Sequence, residues 1–534
     1  MRSGQTARSR GGVVTSPHSV ASESGAKVLR RGGNAIEAAL ATAATLAVVY
    51  PHMNSIGGDG FWLIADEAGC VRGLDGAGAA GRDYSIHTYL RQGLEKIPER
   101  GPLAANTVAG IVGLWQSAYE HSCAQWKGRL SWGDLLEDAV NYAARGFPLS
   151  EDHCEVLRER RSEIETQPGF AEAFLAPLPE VQPGVPFLQP ALARTLSQLQ
   201  SEGGESFYRG PLAARIARGL SAAGSLLSAV DLKAYRARWV EPISCPYRGA
   251  TVVNMPPPTQ GLASLVILGL LERRDFARFR HLAAAYIHEV VEATKLAFEV
   301  RDRYVTDPDF SQVPVDELLA PAFLDSLVAR IDPNRARPYP PPVAESDTVW
   351  YGAVDSSGRA VSAIQSIYHP FGSAVVVGDT GILWQNRGCA FSLDRRHVNC
   401  IAAGKRTLHT LNPAMVFLDN RLHLVYGTMG GEGQPQTQAA LVTRVRDFGL
   451  SLAEAIDAPR WLLGRTWGSE SVTLKLERRF SEEVRQQLEK LGHRTEWVAP
   501  YCRMMGHAGL IRIGSDKECE AVSDPRSDGA AVGA

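Results

Sequence analysis

The sequence predicts an α+β fold from three features of the chain. From Leu114 to about Arg330 the apolar spacing is mainly helical, broken by prolines and by charged stretches such as Glu155–Glu165 that read as solvated helix faces. Between Asp332 and Pro342 the text becomes D-P-N-R-A-R-P-Y-P-P-P, five prolines without apolar periodicity, which reads as an exposed linker. Beyond it the pattern turns strand-like. Helices gathered on one side of a linker and strands on the other give an α+β chain.

The elements follow in order. Val13-Val14 leads into a Ser16-Pro17-His18 turn, after which Ser19 or Ser22 is expected to cap a helix from Ala21 to Arg31 that stops at Gly32-Gly33. A second helix starts at Asn34 and runs through the Ala-rich segment Ala38–Tyr50 to Pro51, its small side chains suited to close packing. That segment is too short to cross a bilayer, which takes about 20 residues, so it reads as buried. Gly57-Gly58-Asp59-Gly60 precedes a strand at Phe61–Ile64 rather than a helix, which argues against phosphate binding. After the linker, Val349–Val354 and Ala360–Tyr368 are strands joined by a Ser356-Ser357-Gly358 turn. Leu411–Leu418 and Leu422–Gly427 form a hairpin about Asp419-Asn420, and a helix Gln434–Phe448 follows.

Composition narrows the function. Of 534 residues, 45% are apolar and 21% charged, with 56 basic against 58 acidic side chains and no basic stripe, so nucleic acid is not the expected partner. The eight cysteines show no C-x-x-C and no zinc-like spacing with histidine, so reduced thiols and no metal are expected. Residues 1–12 are polar with three arginines, unlike a secretory signal, and the expectation is a cytoplasmic enzyme with no membrane partner and no cofactor.

Asp347-Thr348 at the start of a strand means little alone; its setting gives it meaning. The chain carries G-G-x-V-x-x-P-x-x-x-A-S from Gly11, R-G-G-N-A-I-E-A-A from Arg31 and G-G-D-G-F from Gly57. Past the linker come D-T-V-W-Y-G-A-V-D from Asp347, F-G-S-A-V-V-V from Phe371, T-G-I-L-W-Q-N from Thr380, P-A-M-V from Pro413, G-x-M-G-G from Gly427 and S-D-P-R-S-D-G-A-A from Ser523. In this order and spacing the blocks resemble the γ-glutamyltransferase family over nearly the whole chain. The resemblance implies the N-terminal nucleophile fold, an αββα four-layer sandwich, in a precursor that cleaves itself. Residues 1–347 become a large subunit and 348–534 a small one, intertwined as a heterodimer, with a dimer of heterodimers as a further expectation. It makes Asp347-Thr348 the autocleavage site and Thr348 the nucleophile. It also implies Gly430 and Gly431 as oxyanion donors and Ser366 as a hydrogen-bond partner of the nucleophile. Threonine suits the role because a hydroxyl needs a nearby base, and a freed α-amine with a pKa of about 7.7–8.0 supplies one. Val349-Trp350 stand where the best-known members have Thr-His, which bears on the rate of cleavage.

The departures from the family bear on the substrate. The arginine that holds the substrate α-carboxylate in γ-glutamyltransferases is replaced by Ala77, and its two assisting serines by His409 and Thr410. The three positions that hold the α-amine are Tyr368, Arg387 and Ala390. Arg387 in place of an acidic or amide residue repels the ammonium of a γ-glutamyl donor. With Tyr368 and Trp350 intruding, the pocket is expected to suit a small amide bearing its own carboxylate, held by Arg387 with His409 or Thr410. Arg387 as a structural ion pair and His409 as a core histidine stand as alternatives. The pattern resembles the branch of the family that includes oxamate amidohydrolases, which release ammonia during purine breakdown. Other readings are a γ-glutamyltransferase or glutathione hydrolase, a glutaryl-type β-lactam acylase, and a catalytically dead scaffold.

Overall fold

The computed structural model describes residues 6–178, 180–339, 347–464 and 471–534, with Asp347 as backbone only. Two seven-stranded sheets stack face to face. The first runs, edge to edge, Ala530–Gly533, Gly12–Ser16, Asp347–Asp355, Ala360–Tyr368, Asp59–Ala65, Val71–Gly76 and Arg238–Val240, every pair antiparallel. The second runs Thr6–Ser9, Cys519–Ser523, Ala508–Ile513, Arg421–Thr428, Ala414–Leu418, Ala250–Asn254 and Ile243–Tyr247, again antiparallel. Phe61, Leu63, Trp350, Ile364, Met415 and Ile511 belong to the apolar cluster between the sheets. Alternate residues such as Trp62, Ile64, Tyr351 and Ala363 pack instead with the helices on the outer face of the first sheet. Val252, Val416 and Leu424 do the same on the outer face of the second, against Gly261–Glu272 and Ala284–Tyr304. Period-two alternation thus feeds three apolar layers from two sheets. The outcome is the four-layer sandwich.

The helix Ala35–Val49 lies at the centre of the outer layer. Asn34 accepts from the N–H groups of Ile36 and Glu37, while Glu37 accepts from the Asn34 N–H at 2.7 Å, a capping box that fixes its start. All fifteen of its residues are buried. Its Ala-rich surface lets Ser19–Arg30 approach so closely that a Cβ added at Gly25 would sit 2.2 Å from Thr42 Oγ1.

Several boundaries differ from the sequence reading. The first helix spans Ser19–Arg30 with His18 at its cap position, because Ser22 Oγ is spent on the Ala530 carbonyl at 2.7 Å rather than on the helix end. The stretch read as mainly helical also contains Arg238–Val240, Ile243–Tyr247 and Ala250–Asn254. Each is five residues or shorter, and Pro246 disguises the alternation of the second. The hairpin strand read from Leu411 begins at Ala414, while Asp419 and Asn420 take φ of 49° and 60°, the geometry of a tight hairpin turn. Trp350 does not enter a pocket: it lies in the inter-sheet layer with Nε1 donating to Ser362 Oγ at 3.0 Å. Asp332–Tyr339 form no regular element, and the rest of the proline-rich linker lies outside the described residues. No helix among the described residues is long and apolar enough to cross a membrane.

Candidate active site

Thr348 is the second residue of a strand in the middle of the first sheet. The register with the neighbouring strand slips there: Asp347 lies opposite Tyr368 but Val349 opposite Gln365, so Thr348 faces two residues, Ser366 and Ile367, at a bulge. The strand runs unbroken through Asp347 and Thr348. Thr348 is wholly buried, and its Oγ1 has no hydrogen-bond partner among the described residues. A buried hydroxyl without a partner is costly, and such groups concentrate where chemistry requires them.

Ser366 is buried beside it and accepts the Tyr368 N–H on Oγ at 2.7 Å. Tyr368 takes φ of +80°, an uncommon conformation for a bulky residue. The bulge and the positive φ flank the same peptide bond, Asp347–Thr348.

Gly430 and Gly431 connect the strand Arg421–Thr428 to the helix Gly433–Arg446, with φ of +113° and +51°. Gly430 O accepts from the Gly433 N–H at 2.7 Å and Gly431 O accepts from Gln260 Nε2 at 2.8 Å. Both carbonyls are thereby tied down at the N-terminus of a 14-residue helix. The same Gln260 amide donates to the Thr410 carbonyl at 2.7 Å, and its Oε1 accepts from Arg301 Nη1 at 3.2 Å. Arg301 in turn pairs with Glu432 at 2.7 Å. Gln260, Arg301 and Glu432 thus join the glycine turn to the Thr410 segment. None of the three was singled out from the sequence: Gln260 follows three prolines, Arg301 lies in helical text, and Glu432 stands between Gly431 and Gly433.

Arg387 opens a short 3-10 turn and is 1% exposed. Nη2 donates to Thr410 Oγ1 at 3.2 Å, the guanidinium carbon lies 3.6 Å from the Tyr368 ring centroid, and Nε and Nη1 have no partner. Among the described residues it makes no ion pair. Burial pulls its pKa down to about 10, so it stays charged at neutral pH. His409 faces elsewhere. Its Nε2 lies 3.3 Å from Asp59 Oδ2, Nδ1 accepts the Leu411 N–H at 3.4 Å, and its ring meets Phe61 edge-on. Burial, then the charge of Arg387, lowers its pKa well below the usual range, so it is neutral with Nε2–H donating.

Asp59 is the residue the sequence reading passed over. It is wholly buried and accepts from Gly110 N–H, Gln385 Nε2 and Gly78 N–H at 3.0, 3.0 and 3.2 Å, besides His409. A charged residue opening an apolar strand was the signal that could have found it. On the cleft side, Glu99, Arg301, Tyr368, Cys389, Ala390 and Glu432 contribute to the walls of a cavity of about 330 Å³. Tyr368 lies both in that wall and over Arg387.

The gamma-glutamyltranspeptidase family model matches residues 21–534. The chain belongs to that family. It is 48% identical to the oxamate amidohydrolase proenzyme of Klebsiella pneumoniae and 42% identical to a glutathione hydrolase-like proenzyme of Bacillus subtilis, each over 98% of both chains. Among solved structures it is similar to cephalosporin acylase from Bacillus halodurans, with a TM-score of 0.90 and 32% identity over 99% of this chain and 97% of that one. As a member of the gamma-glutamyltranspeptidase family it is a hydrolase of amide C–N bonds on the N-terminal nucleophile fold.

Ala77 is packed in the inter-sheet layer with its N–H on Asp75 Oδ1 at 2.8 Å. A different buried arginine, Arg406, bridges Asp75 and Asp307 at 2.6 Å each and is consumed in doing so. The one described metal-like group, His288, Glu292 and His493, is far along the chain's other helical layer and is satisfied internally. The two rings bond each other at 2.8 Å, and Lys295 Nζ lies 2.6 Å from the Glu292 carboxylate.

Proposed function

We propose that this enzyme cleaves its own chain between Asp347 and Thr348 and then hydrolyses a compact amide that carries a carboxylate, with oxamate as the leading substrate. The observation that carries this is Arg387: a buried, charged guanidinium with two nitrogens lacking a partner among the described residues, stacked on Tyr368, which pairs with Asp347 at the strand end before Thr348. Such a group is costly unless an anion completes it, and its planar fork matches a carboxylate. Thr410 Oγ1 accepts from its third nitrogen and holds the fork in place. His409 braces the site from behind rather than touching the anion. The 48% identity to an oxamate amidohydrolase proenzyme supports the same substrate.

In the reaction, Thr348 Oγ attacks the amide carbon as its proton passes to the freed α-amine. The oxyanion rests against the Gly430 and Gly431 N–H groups, at the positive end of the following helix. The amine returns the proton to the leaving nitrogen, and ammonia departs, leaving an ester on Thr348. Water, deprotonated by the same amine, attacks that ester. Its collapse restores the hydroxyl and releases oxalate. Ser366 steadies the nucleophile end of the strand, and Tyr368 covers Arg387. A γ-glutamyl donor fits poorly, since its ammonium meets Arg387. Turnover in the cytoplasm within purine breakdown is the corresponding cellular role.

The test is ammonia release from oxamate beside nitroanilide release from a γ-glutamyl donor, with a denaturing gel for cleavage. Ammonia without nitroanilide, absent in Thr348→Ala, is expected. Strong γ-glutamyl turnover would overturn the substrate assignment and leave the nucleophile standing.

A further inference from the structure

Thr348, Ser366 and Asp59 lie in one row across three adjacent strands: Thr348 faces Ser366 at the bulge, and Ser366 is in register with Asp59. Asp59 shares its strand face with Phe61 and Leu63 of the inter-sheet layer, yet it is a carboxyl surrounded by donors. Gly78 and Gly110 give backbone N–H groups and Gln385 a side-chain amide, all to Oδ1, while His409 alone addresses Oδ2. His409 is continued by Thr410, whose Oγ1 accepts from Arg387. Asp59 therefore lies one residue removed from the anion clamp, close enough for its charge to act on Arg387 without an ion pair between them.

We propose that Asp59 is a positioning residue that sets the strength of the carboxylate clamp: its hydrogen bonds hold His409 and Gln385 behind Arg387, and its negative charge, when present, weakens the hold of Arg387 on a substrate carboxylate. This rests on the reading of Arg387 as that clamp. With Asp59 neutral, the buried site carries the single positive charge of Arg387, which an incoming carboxylate cancels. With Asp59 ionised, the site is already balanced, and a carboxylate brings an uncompensated negative charge into a buried space. Binding therefore favours the protonated carboxyl and takes up a proton where Asp59 is otherwise ionised.

In the mature enzyme the freed Thr348 α-amine, in the same row, also titrates, at an ordinary pKa of about 7.7–8.0; the other neighbours do not change charge near neutrality. Facing Asp59 are Arg387 from the 3-10 turn, His409 from its segment, and the phenols of Tyr208 and Tyr235, which donate to the Ala109 and Gly110 carbonyls at 2.9 and 2.8 Å. Burial raises both phenols and keeps them neutral, and His409 is neutral as well. On the next strand, Asp75 is held by Arg406. Burial pushes Asp59 itself up to about 7, which puts its change of charge near neutral pH.

The experiment is competitive inhibition of the mature enzyme by oxalate, which does not titrate between pH 6 and 8.5, measured as Ki across that range. In the wild type, Ki rises by about tenfold through an inflection near neutrality. In Asp59→Asn, which keeps the side-chain shape without the charge, the inflection near neutrality is lost, and only a shallower rise from the Thr348 α-amine, at its own pKa of about 7.7–8.0, remains. In His409→Leu, which removes one donor and leaves the carboxyl, the inflection moves to higher pH. Parallel profiles in wild type and D59N overturn the proposal. So does an inflection unmoved in H409L, which keeps the test decisive if D59N fails to mature. Arg387→Met separates the two layers: if oxalate still inhibits it, the clamp reading itself is wrong; if inhibition is lost, that reading stands whatever the Asp59 variants do.

Discussion

Replacing Arg387 with methionine should make the protein more stable and nearly inactive at once. The side chain is 1% exposed and charged, with two nitrogens unpartnered and a pKa drawn down to about 10 by burial. Methionine fills a similar volume without the charge, and at a pH where Asp59 is neutral its gain should be of the order found when buried ionic groups are replaced by apolar ones, about 1–4 kcal/mol. In a chain of this size the melting temperature rises by a few degrees. Activity moves the other way. Two charge-assisted hydrogen bonds to a substrate carboxylate contribute about 1.5–3 kcal/mol each. At about 1.4 kcal/mol per tenfold, their loss lowers kcat/KM for oxamate by about two to four powers of ten. Ammonia release under a coupled assay reads the second quantity and calorimetry the first. A variant that keeps kcat/KM within threefold, or that melts lower than wild type, would refute the view of Arg387 as an anion clamp.

Thr348→Ala should remain a single chain of 57.8 kDa and release no ammonia, whereas Thr348→Ser should still cleave; a cut alanine variant would move the scissile bond elsewhere. Gln260→Leu removes the amide that joins the Thr410 and Gly431 carbonyls, and kcat/KM should fall about ten- to a hundredfold through the loss of about 1.4–2.7 kcal/mol. An unchanged value would show that the two segments hold themselves. Asp59→Asn should gain stability over the wild type as pH rises. The carboxyl has a folded pKa of about 7, above its ordinary 3.8, so its contribution is fully present below the lower value and is lost as pH climbs through the upper. The melting-temperature difference between variant and wild type should widen from pH 4 to 7 and then level; a constant difference would mean that Asp59 is ionised throughout.

Much of this was legible in the sequence, and the pattern of what was not has a physical cause. Thr348, Ser366 and the glycine pair were reached through blocks of text in a fixed order, and the fully buried helix Ala35–Val49 through its Asn34 cap and alanine run. Arg387 was placed as a candidate because it stands where the family has the opposite chemistry. Gln260, Arg301 and Asp59 act through partners more than a hundred residues away or through backbone N–H groups, and neither relation leaves a local spacing. Asp59 was hidden in its own motif: the flanking glycines suggested a turn, although Asp-Gly-Phe-Trp-Leu-Ile is a strand that begins on a buried charge. His409 was left with two roles open, a carboxylate ligand or a core histidine, and its distance to Asp59 is a relation the sequence does not show. The strands Ile243–Tyr247 and Ala250–Asn254 were missed because short alternating segments carry little signal without their neighbours in the sheet.

Each sheet draws strands from both sides of Thr348. In the first, Asp347–Asp355 is hydrogen-bonded to Gly12–Ser16 on one edge, and Ala360–Tyr368 to Asp59–Ala65 on the other. A cut at Thr348 therefore changes the covalent connectivity without opening a seam. The two pieces cannot trade places between molecules unless both sheets come apart, and a melted, cut molecule has lost the tether that first brought its strands into register. With a cut there, assembly would be encoded in the uncut chain, and the cut enzyme would persist through the height of its unfolding barrier rather than through an equilibrium it can revisit.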